Sequence, residues 1–182
     1  MAKKKADVNT FYIQHGIDVP GRRIFLGEDV DESSMGWIMR SVQLMIDDND
    51  KIPINIFINS FGGSAYDGLA LYDLLESLPC AVHTTCIGSA MSMSLILFLV
   101  GDVRKAYPRA SWMAHQVISG SEGPLNDLKI DLDETERLNN VLLKILAERT
   151  KKSLKFWQKE IAHDDKYYDY KKALKLGIIT EE

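Results

Sequence analysis

Three short apolar runs, each followed by a helical pattern, leave this chain few folds to choose from. Arg23-Ile24-Phe25-Leu26-Gly27 reads as a strand, and Ser34 to Asp48 carries Met35, Ile38, Met39, Val42 and Met45 at helical spacing. A second strand, Ile54 to Asn59, is closed by Ser60-Phe61-Gly62-Gly63. It leads into an amphipathic helix from Ala65 to Leu78, stopped by Pro79. A third strand, Ala81 to Ile87, runs into the turn Gly88-Ser89-Ala90-Met91-Ser92 and then into the apolar stretch Met93 to Val100. Strands and helices alternating through short connections require right-handed parallel crossovers, with helices covering the sheet. The fold class is α/β. In such sheets ligands gather at the carboxyl ends of strands, where both Gly62-Gly63 and Ser92 fall.

With 182 residues, 46% of them hydrophobic, the chain is long enough for one substantial core and too short for two comfortable domains. The expected organisation is an N-terminal leader over residues 1–22 and one domain over 23–182. A net charge of −4 gives no reason to expect nucleic acid, and Lys3-Lys4-Lys5 reads as a solvated tail. Met93 to Val100 is far too short to cross a bilayer and reads as a buried helix, so no membrane partner is expected. The two cysteines, Cys80 and Cys86, make no zinc site, and the chain opens on no signal-like segment; a reducing, cytoplasmic setting follows.

Ser92 is the nucleophile candidate. It sits on a sharp strand-to-helix turn with small residues two places before and after it, as a crowded turn that must expose a hydroxyl requires. The bland alternative is a serine that merely packs a helix start. Gly62-Gly63 permits a close approach of substrate to main-chain N–H groups, so Gly63 and Met93 are the candidate oxyanion donors. A plain turn with Ser64 capping the next helix is the competing reading. Of the four histidines, His83 lies inside a strand, His15 in the leader and His163 among acids near the end. His115 follows the strand-like Ser111-Trp112-Met113-Ala114 and precedes a glycine-bearing stretch, which suits a general base reaching into a cleft. Spacing leaves the orienting carboxylate open among Asp164, Asp165 and Asp169.

Taken together, Ile58-Asn59-Ser60-Phe61-Gly62-Gly63-Ser64, the Gly88-to-Met93 turn, Met113-Ala114-His115-Gln116 and the closing Ala173-Leu174-Lys175-Leu176-Gly177-Ile178-Ile179 resemble the proteolytic subunit of the Clp protease, the ClpP family. The resemblance runs from about Arg23 to the C-terminus. It implies a ClpP/crotonase-like fold, Ser92 as nucleophile, His115 as base, Asp165 as the triad aspartate with Asp164 as fallback, and oxyanion donation from Gly63 and Met93. The implied activity is that of a serine endopeptidase acting on peptides and unfolded proteins, with no metal or organic cofactor.

Pro124 to Lys151 reads as one helix carrying Leu125, Leu128, Leu132, Leu138, Leu142, Ile145 and Leu146, beginning at a proline suited to the first turn. At ~1.5 Å per residue it is roughly 40 Å long, against a radius of gyration of about 16 Å for a domain of this size, so part of it should project. A bent helix wrapped over its own sheet is the alternative. In the family a protruding helix joins two stacked heptameric rings into a barrel with the active sites inside, so the resemblance implies a homo-oligomer, a tetradecamer.

Departures from the family pattern accompany the matches. Phe61 stands for the proline of the Ser-Pro-Gly-Gly turn, Val117 for the proline after His-Gln, and the Ser92-to-His115 segment is two residues shorter. Asn55 and Ser77 replace aromatic residues that help receive an unfoldase's loops, and residues 1–20 lack the family's axial-loop sequence. These weigh against docking a conventional AAA+ ATPase and suit a role like that of the viral head-maturation proteases related to ClpP. An inactive ring subunit and an acyl-CoA enzyme of the crotonase type are the rival classes.

Overall fold

The computed structural model describes residues 12–181; Lys3-Lys4-Lys5 and the first half of the expected leader lie outside the described residues. Each strand–helix repeat forms where the hydrophobic period changes. Strand β1 (Ile17–Asp18) pairs antiparallel with β2 (Arg23–Leu26), and α1 (Glu32–Asp48) follows. Next come β3 (Ile54–Ser60), α2 (Ala65–Glu76), β4 (Val82–Met91) and α3 (Met93–Leu99). Then β5 (Val103–Ala106), β6 (Ser111–Ala114), α4 (Leu125–Thr150), α5 (Leu154–Glu160), β7 (Lys166–Tyr168) and α6 (Tyr170–Leu176) complete the chain. The seven-stranded sheet runs β1-β2-β3-β4-β6-β7, with β5 also paired to β4. The pairings among β2, β3, β4, β5 and β6 are all parallel, and antiparallel pairs close the two edges.

Ten-residue β4 is long because it serves two neighbours in turn: its first half pairs with β5 and its last three residues with β6. The sequence ends this strand at Ile87, yet it continues through Gly88-Ser89-Ala90-Met91. The register against β3 slips between Ile58 and Ser60, and the Asn59 side chain fills the gap, its Oδ1 accepting from the Ser89 N–H at 3.0 Å. A Cβ on Gly88 would stand 2.5 Å from that oxygen, so glycine here makes room for the amide that replaces a ladder bond.

One buried cluster runs from Ile17 in β1 to Ile179 beyond α6. All seven residues of α3 are buried, which explains the unbroken apolar run from Met93 to Leu99. Helix α1 begins two residues before the sequence expectation because Asp31 caps it, its side chain accepting from the Ser34 N–H in a reciprocal box. At the other end of the helices two arginines do the capping. Arg104 donates to the carbonyls of Gly101, Arg149, Gly177 and Ile178, and Arg149 to those of Leu99, Val100 and Gly101. These are the orphan carbonyls at the C-termini of α3, α4 and α6, where a cation also meets the negative end of each dipole. Burial and the adjacent Arg149 cation pull the Arg104 pKa down to about 10, leaving it charged at neutral pH.

Helix α4 spans 26 residues, about 39 Å. Its first buried side chain is Leu138; Leu143, Ile145 and Leu146 follow, while Leu125, Ile130 and Leu132 stand exposed. The C-terminal half of the helix packs on α3 and α5, and the N-terminal half carries apolar side chains into solvent.

Candidate active site

Ser92 links the last residue of β4 to the first of α3, and the chain reverses there with φ 53° and ψ −126°, a conformation glycine adopts more readily. Three hydrogen bonds hold it. The Ser92 N–H donates to the Met113 carbonyl of β6 at 2.9 Å, and fully buried Ser94 accepts from the Met91 N–H at 2.8 Å while donating to the Ser60 carbonyl at 2.6 Å. Ser94 was legible only as one of the small residues near the turn; its role as a clamp between β3 and β4 depends on pairing that no local spacing reveals.

His115 is the first residue past β6, and its Nε2 lies 2.7 Å from Ser92 Oγ. Parallel pairing aligns Met91 with Met113, so each strand releases its polar residue at the same end of the sheet. Antiparallel pairing then supplies the acid: Trp112 faces Tyr168, Met113 faces Tyr167 and Ala114 faces Lys166. One further step along that register brings Asp165 opposite His115, and Asp165 Oδ1 stands 3.7 Å from Nδ1. This is ion-pair range, longer than a hydrogen bond. The carboxylate side chain is 55% exposed and the imidazole 16%. The other two acids are engaged elsewhere: Asp164 with Lys166 at 3.2 Å, and Asp169 as the N-cap of α6, accepting from the Lys172 N–H at 2.8 Å.

The diglycine turn packs directly on the serine turn. A Cβ on Gly62 would fall 2.9 Å from both the Met93 nitrogen and Ser92 Cβ, and Gly62 and Gly63 have φ of 100° and 151°. Val30 bridges the turn by donating to the Gly62 carbonyl and accepting from the Ser64 N–H, an arrangement that leaves the Gly63 N–H outside the ladder. The Met93 N–H opens α3 and has no intrahelical acceptor. Ser64 does cap α2, accepting from the Asp67 N–H, so the turn both starts a helix and abuts the serine.

A cleft of about 580 Å³ lies over these groups, and its lining includes Gly63, Ser92, His115 and apolar Ile96, Leu142 and Leu146. Of the four histidines only His115 lines it. His15 stacks on Trp37 with ring centroids 4.4 Å apart, and His83 sits half-buried in β4. Among the described residues no group of three or more His, Cys, Asp or Glu could hold a metal ion, and no helix is long and apolar enough to cross a membrane. Cys80 and Cys86 are both free and buried. The departures fit the geometry: Phe61 stands exposed beside the glycines, and Val117 uses the N–H a proline would lack to donate to Asn139 Oδ1 of α4 at 3.1 Å.

A mainly parallel sheet with covering helices and a long helix α4 is consistent with the ClpP/crotonase fold, and at its edge the Ser92 hydroxyl lies within hydrogen-bond distance of an imidazole. The family model described as Clp protease matches residues 14–181, and the chain belongs to that family. The α/β expectation and the resemblance drawn from the four sequence motifs are both borne out.

Proposed function

We propose that this chain is a serine endopeptidase that cleaves peptides and unfolded polypeptides by an acyl-enzyme route, within an assembly of its own copies. The observation that carries the reading is the 2.7 Å contact between Ser92 Oγ and His115 Nε2, with Asp165 beside the far nitrogen. In the proposed chemistry Ser92 attacks the scissile carbonyl while His115 takes its proton. Asp165 favours the tautomer with hydrogen on Nδ1 and stabilises the imidazolium that forms. The Gly63 and Met93 N–H groups receive the oxyanion, a contribution typically worth about 3 kcal/mol per donor. His115 then protonates the leaving amine, and water repeats the cycle to release the acyl group.

The exposed half of α4, where Leu125 and Leu132 lie seven residues apart on one face, supports assembly, since an apolar face of this kind is stable when another copy covers it. Two stacked heptameric rings are the form the family membership favours, with residues 23–182 as the peptidase domain. Enclosure would confine cleavage to chains that thread inside. The peptidase chemistry itself needs no ATP, and Asn55 and Ser77 argue against the usual unfoldase docking. Labelling with a fluorophosphonate tests the proposal. Modification at Ser92, abolished by Ser92→Ala, is expected; an assembled protein that stays unlabelled would refute it and return the chain to a structural ring subunit or a crotonase-type enzyme. Native mass spectrometry reads the ring number.

A further inference from the structure

The β6–β7 ladder stops one residue short of the site. Its last rung joins Ala114 to Lys166, and beyond it lie His115 on one strand and Asp165 on the other. Among the described residues, two side-chain links cross the opening between residues 115–119 and 161–165. One is the 3.7 Å pair of His115 and Asp165 itself. The other is Gln116, whose Nε2 donates to the carbonyl of Ala162 at 2.9 Å. The connection forms a closed circuit: from the His115 ring through the main chain to the Gln116 side chain, across to Ala162, along three residues to Asp165, and back to the ring.

We infer that Gln116 is a positioning residue that sets the distance from the Asp165 carboxylate to His115. The inference rests on the peptidase reading proposed above. Without the Gln116 tie, the exposed acid hangs on a segment anchored at the Lys166 rung and at buried Ile161, and among the described residues the loose 3.7 Å pair itself is the one side-chain link left to the histidine strand. A carboxylate already 3.7 Å from its partner has to close by about 0.8–1.0 Å to make a charge-assisted hydrogen bond, whose usual length is about 2.7–2.9 Å. A tether of fixed length keeps that closure within reach. Gln116 is part of the cleft lining, but its side-chain amide is spent on the Ala162 carbonyl rather than on Ser92, so its effect on the site runs through the Asp165 segment.

The test combines Gln116→Ala and Gln116→Glu with Asp165→Asn in the assembled protein. The glutamate keeps the size but replaces the donor with an oxygen that the Ala162 carbonyl repels. Each single Gln116 variant is expected to lower the fluorophosphonate labelling rate and the kcat for a short peptide by about tenfold, with KM within twofold. In the Asp165→Asn background the same changes are expected to cost less than twofold, because the group being positioned is already lost. Full multiplicative losses in the double variants, or single variants that keep the wild-type rate, would overturn the inference while leaving the peptidase reading intact. A wild-type protein unlabelled at Ser92 would overturn both. Thermal melting within a few degrees of wild type separates positioning from misfolding.

Discussion

Replacing Gly62 with alanine tests whether the diglycine turn and the serine turn form one rigid unit. The new Cβ would lie 2.6 Å from the Met91 carbonyl oxygen and 2.9 Å from both the Met93 nitrogen and Ser92 Cβ, against 3.4 Å for ordinary contact. The two turns must therefore part by roughly 0.5 to 0.8 Å, and every atom in the way is backbone or Cβ, so no flexible side chain can yield. Alanine must also accept φ near 100°, a conformation that costs about 1–3 kcal/mol. A total near 3 kcal/mol is expected, which for a domain of this size lowers Tm by about 6–12 °C. Displacing the proposed nucleophile and the proposed Met93 oxyanion donor by this distance is expected to cut the fluorophosphonate labelling rate by about 10²-fold. Gly120→Ala is the matched control, since a Cβ there meets nothing within 4 Å. Scanning calorimetry and time-resolved labelling of both variants decide the matter. A Gly62→Ala protein that melts and labels like wild type would refute the claim that these turns are packed without slack.

Asp165→Asn is expected to retain the assembly and lose about 10³- to 10⁴-fold in peptide hydrolysis, whereas Asp169→Asn, which alters only a helix cap, should stay within a few-fold in the same assay. Arg104→Met removes a donor from four carbonyls at three helix ends, of which Gly101 alone keeps Arg149, and is expected to cost about 3–5 kcal/mol, read as a drop in the urea midpoint; an unchanged midpoint would show that water replaces the guanidinium. Burial pushes the Cys86 thiol pKa up from 9.0 to about 12, and burial likewise raises those of Tyr72 and Tyr168. Because the folded protein holds these protons more tightly than the unfolded chain, their contribution is complete below about pH 9 and drains away as pH rises toward 12. Urea midpoints should fall between pH 9 and 11, less steeply in Cys86→Val, and equal slopes for the two proteins would contradict the assignment.

Periodicity carried most of the framework into view, because β2, β3, β4 and the helices between them bury one face each and repeat accordingly. It missed what depends on partners distant in sequence. Edge strands β1 and β7 are two and three residues long, too short for any alternation to register. The choice among Asp164, Asp165 and Asp169 stayed open on spacing alone because all three are acids in a polar stretch. What distinguishes them is the antiparallel register, in which positions 112 to 114 count against 168 to 166, and no local pattern encodes it. The family resemblance points to Asp165 by alignment of the closing helix, and the register sets that residue across from His115. Gly88 and Ser89 read as a turn for the opposite reason: their local preference is real, and the Asn59 amide overrides it.

The backbone at position 92 has a further consequence for how this chain balances durability against chemistry. Glycine would occupy φ 53° and ψ −126° with less strain, so Ser92→Gly should yield a protein about 1 kcal/mol harder to unfold and devoid of the proposed nucleophile. Robustness and reactivity thus compete for a single side chain. Keeping the hydroxyl there leaves the chain a little less durable than its own scaffold allows.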